Sequence, residues 1–170
     1  MKPDPVLGEL STLVTRPAVA AKLAPIVARL ETSLSASPEL PQAWEPISLD
    51  ALDAGLPSSI KSCWIFVLRS GGVFGAEKHP NSHQRSIALE GSALFELYVD
   101  GVWSSHPIDS AGPSVGAKSV SIPTGTWHRI KIGPQNLASL SFHTVIASEL
   151  IEETPVGEDL SVTRKRLYHA

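Results

Sequence analysis

Ile122-Pro123-Thr124-Gly125-Thr126-Trp127-His128 is the stretch on which the reading of this chain turns. Ser119–Ile122 leads into it as a strand-like run, and Trp127–Ile132 leads out as another. A proline and a glycine between two such runs predict a tight reversal, with a histidine placed just beyond the turn. Outward from here the texture repeats. Cys63–Arg69 reads as a strand that stops at Gly71-Gly72. Ser86–Leu89 and Ala93–Val99 are strands broken at Gly91, and Asp100-Gly101 is a two-residue hairpin signal from which Val102–Ser105 returns. Ile108–Gly116 reads as a loop, and Gly133-Pro134 as the turn into Leu137–Val145. Short strands with a turn every ten residues or so ("about eight to twelve" is the usual spacing) predict an all-β sandwich or barrel over residues 58–150.

The flanks have a different texture. Residues 1–57 read as an N-terminal helical extension packing on the barrel. Within it, residues 1–16 read as a loose tail, and Thr15 is placed to cap a helix with Pro17 in its first turn. Val19, Leu23, Ile26, Val27, Leu30 and Leu34 share one helical face. Pro25 lies inside that pattern and predicts either a kink or two short helices. Residues 35–47 contain Pro38, Pro41 and Pro46 and read as a loop, after which Ser48 caps a short helix over Leu49–Ala54 that Gly55 ends. Residues 151–170 read as a C-terminal tail outside the barrel, with Glu149–Asp159 acidic and Arg164–Arg166 basic.

Composition narrows the classes of function. The chain has 170 residues, 42% hydrophobic and 18% charged, with a formal net charge of −3. That suits one domain with a real core. No Lys/Arg run forms a basic stripe and no helix-turn-helix signature appears, so no nucleic acid is expected as a partner. No phosphate-binding glycine loop is present. No stretch is long and apolar enough for a membrane, and the first ten residues lack the apolar core of a signal peptide. Cys63 is the sole cysteine. It reads as a buried, inert thiol, and a cytoplasmic location is the default expectation.

Two segments hold the chemistry. One is Glu77-Lys78-His79-Pro80-Asn81-Ser82-His83-Gln84-Arg85, followed by Leu89-Glu90-Gly91; the other is the opening stretch. Together they resemble the two motifs of the cupin superfamily. The first family motif is two histidines one residue apart, then a glutamate, then a glycine; the second is Pro-x-Gly-x-x-His followed by an asparagine. With Gly91 fixing the register, His79 falls on the second histidine, Gln84 on the glutamate and Glu77 on the first histidine. In the second motif Pro123, Gly125 and His128 match, while Ile132 replaces the asparagine. The resemblance covers about half of the chain and implies a double-stranded β-barrel of the cupin, or jelly-roll, type. It also implies a dimer.

The resemblance implies a divalent transition metal (Fe, Zn, Ni, Mn or Cu), which imidazoles suit without choosing among them. The ligand set it suggests is His79 and His128 with His83 or Gln84. Strand alternation lets only one of His83 and Gln84 face a pocket, unless the chain bulges. The candidate pocket-lining residues are Glu77, Arg85, Ser86, Ala88, Ile130 and His143. Arg85 could bind a carboxylate or make an ion pair, and His143 is a ligand candidate or a hydrogen-bonded barrel histidine. His106 and His169 read as loop and tail residues. A set of neutral ligands would leave positive charge on a bound ion and favour an anionic substrate. The resulting expectation is a metal-binding cupin enzyme acting on a small anionic organic molecule, as an oxygenase, isomerase or lyase, with a lean to a non-haem-iron dioxygenase. The rival expectation is a small-molecule-binding or sensing cupin without catalysis, for which the incomplete first motif speaks.

Overall fold

The structure is a computed structural model and describes residues 4–52 and 55–168. His169 and the end of the expected 49–54 helix lie outside the described residues. Two sheets face each other. The first runs β1 (Gln42–Pro46), β2 (Ser62–Leu68), β9 (Leu137–His143), β4 (Gln84–Glu90) and β7 (Ser119–Ile122), side by side in that order. The second runs β3 (Val73–Glu77), β8 (His128–Ile132), β5 (Ser92–Val99) and β6 (Val102–Asp109). All these pairings are antiparallel. A further hairpin, β10 (Ile151–Val156) with β11 (Asp159–Leu167), joins β3 at the bridge Lys78↔Glu153.

The turn chemistry agrees with the sequence. Thr126 N donates to Pro123 O at 3.0 Å across a turn whose third residue, Gly125, has φ of +74°. That is the conformation a type II turn demands and glycine supplies. Asp100 and Gly101 both have positive φ, as a two-residue hairpin between Val99 and Val102 requires. Gly91 is fixed by close approach, because a Cβ there would lie 2.1 Å from Asn136 O.

The N-terminal segment departs from expectation. Residues 5–14, expected as tail, form helix α1 (Pro5–Val14), because Asp4 caps it and Pro5 suits its first position. Thr15 ends α1, and Arg16, not Thr15, precedes α2 (Pro17–Ala36). Pro25 leaves α2 a single helix, since it sits on the exposed side where the freed carbonyl can meet water. Part of the expected 35–47 loop is β1, an edge strand, where proline is tolerated. His106 lies in β6 rather than a loop.

The helices explain why β2 lacks alternation and why every residue of β9 is buried. Cys63, Ile65, Val67, Ala138, Leu140 and Phe142 point outward and pack against Leu10, Val19, Leu23, Leu30 and Leu34. Trp64, Phe66, Leu68 and Leu137 point inward to a second core with Phe95, Leu97 and Ile132. Strands covered on both faces read as continuous apolar runs. Burial pushes the Cys63 thiol well above its ordinary pKa, in keeping with an inert role. Among the described residues no single helix is long and apolar enough to cross a membrane.

Candidate metal centre and cavity

A cavity of about 540 Å³ opens between the sheets. Phe66, Leu68, Phe74, Phe95 and Ile130 give it apolar walls, and Gln84, Ser86, Ser139 and Ser141 give it a polar one. Glu77 and His128 stand at its edge because they are direct cross-strand partners at the ends of β3 and β8. His79 follows Glu77 by two residues, so it shares that face. It lies behind them at 2% exposure.

One ligand atom from each of Glu77, His79 and His128 lies within 4.8 Å of the others. Glu77 Oε1 is 3.3 Å from His128 Nε2 and 4.0 Å from His79 Nε2. Both Nε2 atoms are buried and make no hydrogen bond. The opposite ring nitrogens are engaged: His79 Nδ1 donates to Ile151 O at 2.9 Å and His128 Nδ1 to Thr126 O at 3.2 Å. A carbonyl only accepts, so each Nδ1 carries the proton and, in a neutral ring, each Nε2 presents a lone pair. Backbone partners of this kind orient metal-binding imidazoles. Two lone pairs and a carboxylate oxygen converging in one buried place fit a cation. The triad could therefore hold a metal ion.

Charge is arranged around that point. Burial works to raise Glu77, but with no cation bound, proton charge on the neighbouring His128 and His79 outweighs it and holds the carboxyl at about 2. Burial lowers His79, against the opposing pull of Glu77. Glu152, 2% exposed on β10, is raised first by burial and then by the charge of Glu77. Arg166 clamps Glu152 with Nε and Nη2 both 2.7 Å from Oε1. Burial pushes Tyr168 well above its ordinary pKa, and its ring sits 5.0 Å from that of His79.

The other expected site residues divide by strand face. Gln84 faces the cavity; its Nε2 reaches Ser141 Oγ at 3.0 Å and Ser86 Oγ at 3.3 Å, while its Oε1 is buried without a partner. Ser86 and Ile130 line the cavity as expected. His83 faces the opposite side of β4, with Nε2 2.7 Å from Ser121 Oγ, so alternation removes it from the cluster. Arg85 shares that outer side, 2.7 Å from Asp4, and does not line this cavity. Ala88 points inward but is buried in the core instead of lining the cavity. His143 lies fully buried behind the wall, bonded to Ser141 Oγ at 3.1 Å and Ser82 Oγ at 3.3 Å, with its ring 4.9 Å from His79.

The segment expected as a C-terminal tail is corrected most. Glu152, Thr154, Pro155, Arg166 and Tyr168 of the 151–168 hairpin all line the cavity. A signal was present: acidic residues before Gly157 and basic residues after it pair across the hairpin, Glu152 with Arg166 and Glu153 with Lys165.

Solved structures share this architecture. Pumpkin pro-11S globulin superposes with a TM-score of 0.51 at 15% identity, over 66% of this chain and 28% of that one. The chain has the cupin fold. Oxalate decarboxylases from Bacillus subtilis (TM-score 0.49, 15% identity, 63% of this chain and 26% of that one) and Lactobacillus farciminis (0.48, 17%, 62% and 29%) are also similar, the latter solved as a formate complex. The chain spans under a third of each of those chains, 26% to 29% of their length. No protein-family model and no curated protein matches the sequence.

Proposed function

We propose that this cupin is a metal-dependent enzyme acting on a small anionic organic molecule in the cavity between its sheets. Glu77, His79 and His128 would hold the divalent ion, which would supply an open coordination position to the substrate. The observation that carries the reading is the pair of buried Nε2 lone pairs aimed with Glu77 at one point, each ring fixed by a backbone carbonyl. Two imidazoles and one carboxylate are the donor set typical of non-haem iron oxygenases, so iron and a dioxygenase reaction are the favoured pairing. This replaces the expected set of neutral ligands. A single carboxylate still leaves a divalent ion with net positive charge, which suits an anion. The aromatic wall would exclude water from the bound molecule, and Gln84 and the serines would orient it.

A second reading, a binding cupin without turnover, is favoured by Gln84: its amide is tied to two serines where the family motif has a carboxylate. Elemental analysis of untagged protein, purified without chelator beside His128→Ala, tests the proposal. Near-stoichiometric Fe, Zn, Ni, Mn or Cu that falls sharply in the variant is expected. Metal absent from the parent protein after each ion has been added back would overturn it.

A further inference from the structure

On the other side of the β4–β7 wall lies a second cavity, of about 770 Å³. It is independent of the metal cluster, because Gln84 and Ser86 of β4 face one cavity while Arg85 of β4 and the preceding His83 face the other. Asp4, which caps helix α1, and Leu7 within it line this cavity, with His106 of β6 and Ser119 and Ser121 of β7.

Arg85 is the centre of this second place. It is 6% exposed, an unusual situation for a guanidinium. Its Nε is 2.7 Å from Asp4 Oδ2 and its Nη2 is 3.4 Å from Asp4 Oδ1. Its Nη1 is buried and has no partner. His106 Nε2, on the same cavity, is likewise buried and unpartnered. A buried N–H without an acceptor is costly, so Arg85 Nη1 calls for one, and the unpartnered His106 ring on the same cavity can donate to a ligand in its Nε2–H tautomer.

Asp4 is not that acceptor, because its oxygens are already occupied. They accept from Val6 N at 3.1 Å, from Ser121 Oγ at 2.6 Å, and from both guanidinium nitrogens named above. Burial raises the Asp4 carboxyl, but the bonds from Arg85 and Ser121 win and keep it ionised. Burial and the charge of Arg85 hold His83 neutral. The place is therefore nearly neutral overall, with one guanidinium edge still free. It fits a single negative charge with two oxygens; a dianion would be repelled by Asp4. Leu7 and Val120 on the same wall suit a short apolar body.

We infer that this outer cavity is a binding site for a small monocarboxylate, whose oxygens take hydrogen bonds from Arg85 Nη1 and His106 Nε2. An amide and side-chain NMR titration of the full chain with butyrate, and separately with inorganic phosphate, tests this. Butyrate should give saturable shifts at Arg85, His106 and Ser121, and the affinity should fall about tenfold or more in His106→Ala, which removes one charge-assisted hydrogen bond. Arg85→Lys, which keeps the charge facing Asp4 but lacks the free Nη1 edge, should lose binding to the same degree. Three results would each overturn the inference: no saturable shift with butyrate, undiminished affinity in a folded His106→Ala protein, or a preference for phosphate. Because the metal triad is untouched by either variant, its metal content reports on the inner site separately.

Discussion

Strand β9 carries two proteins' worth of information in seven residues. Its outward side chains, Ala138, Leu140 and Phe142, enter the core under the helices, and its inward ones, Ser139, Ser141 and His143, face the cavity or the network behind it. Strand β4 repeats the division, with Ile87 outward and Gln84 and Ser86 inward. Every residue of β9 is buried, so burial alone does not separate the two faces. Chemistry does. From Ala138 to His143 the outer side chains are hydrocarbon in close contact with helices and the inner ones are hydroxyls and an imidazole, while on β4 the inner Gln84 and Ser86 are polar and the outer Arg85 is the charged exception, paired with Asp4. Polar side chains alternating along a fully buried strand cost stability unless they are bonded, and so they mark a site more reliably than the histidines taken singly.

The comparison breaks most visibly at Phe142, which is fully buried beneath the helices. Phe142→Ala should cost about 3–5 kcal/mol by lost transfer energy and the cavity left behind. Urea unfolding followed by circular dichroism measures this. A loss below about 1 kcal/mol would mean that the helices do not pack on the sheet as a single core.

Asp4→Asn comes next, because it acts on the corner where α1 meets β4 and β7. It leaves the buried Arg85 facing a neutral amide, and the loss at pH 7 should be about 3 kcal/mol. The sign of its pH dependence follows from the lowered carboxyl. Stability from an ionised Asp4 is fully present above its ordinary value of 3.8 and drains away as pH falls through the lower folded value. Unfolding midpoints of the two proteins should therefore differ widely at pH 7 and converge below the ordinary value. A constant gap across pH would show that the Asp4 charge contributes nothing.

Much of this arrangement was legible beforehand, and the exceptions have physical causes. The turns at Asp100-Gly101 and Gly125 announced themselves because positive φ restricts the residue type. His79 and His128 were legible from the motifs. Glu77 was found only as a misfit at the first histidine position, because its pairing with His128 is a register fact and β3, Val73–Glu77, is too short and too exposed to read as a strand. Gln84 and His83 were left as a choice that alternation allowed but could not make; the direction of β4 makes it. Helix α1 was hidden by Pro3, Pro5 and Gly8, although Asp4-Pro5 is itself a helix-start signal. The C-terminal hairpin was hidden by its charges, which read as a tail outside the barrel and instead pair with each other.

The finest test uses two neighbours. Ala138 is fully buried and points at the helix-covered core, and Ser139, 5% exposed, lines the cavity. The same added methyl groups should meet opposite resistance. Ala138→Val has no room and should cost about 1–3 kcal/mol through overpacking. Ser139→Val projects into open volume and exchanges a hydroxyl for hydrocarbon beside Phe66 and Phe95, so its stability should stay within about 1 kcal/mol of the parent. Differential scanning calorimetry on both variants resolves the pair. Equal losses would mean that the inner face is packed as tightly as the outer one. That would remove the open volume on which a bound molecule depends, whereas an unequal pair separates the face that holds the fold together from the face that receives a ligand.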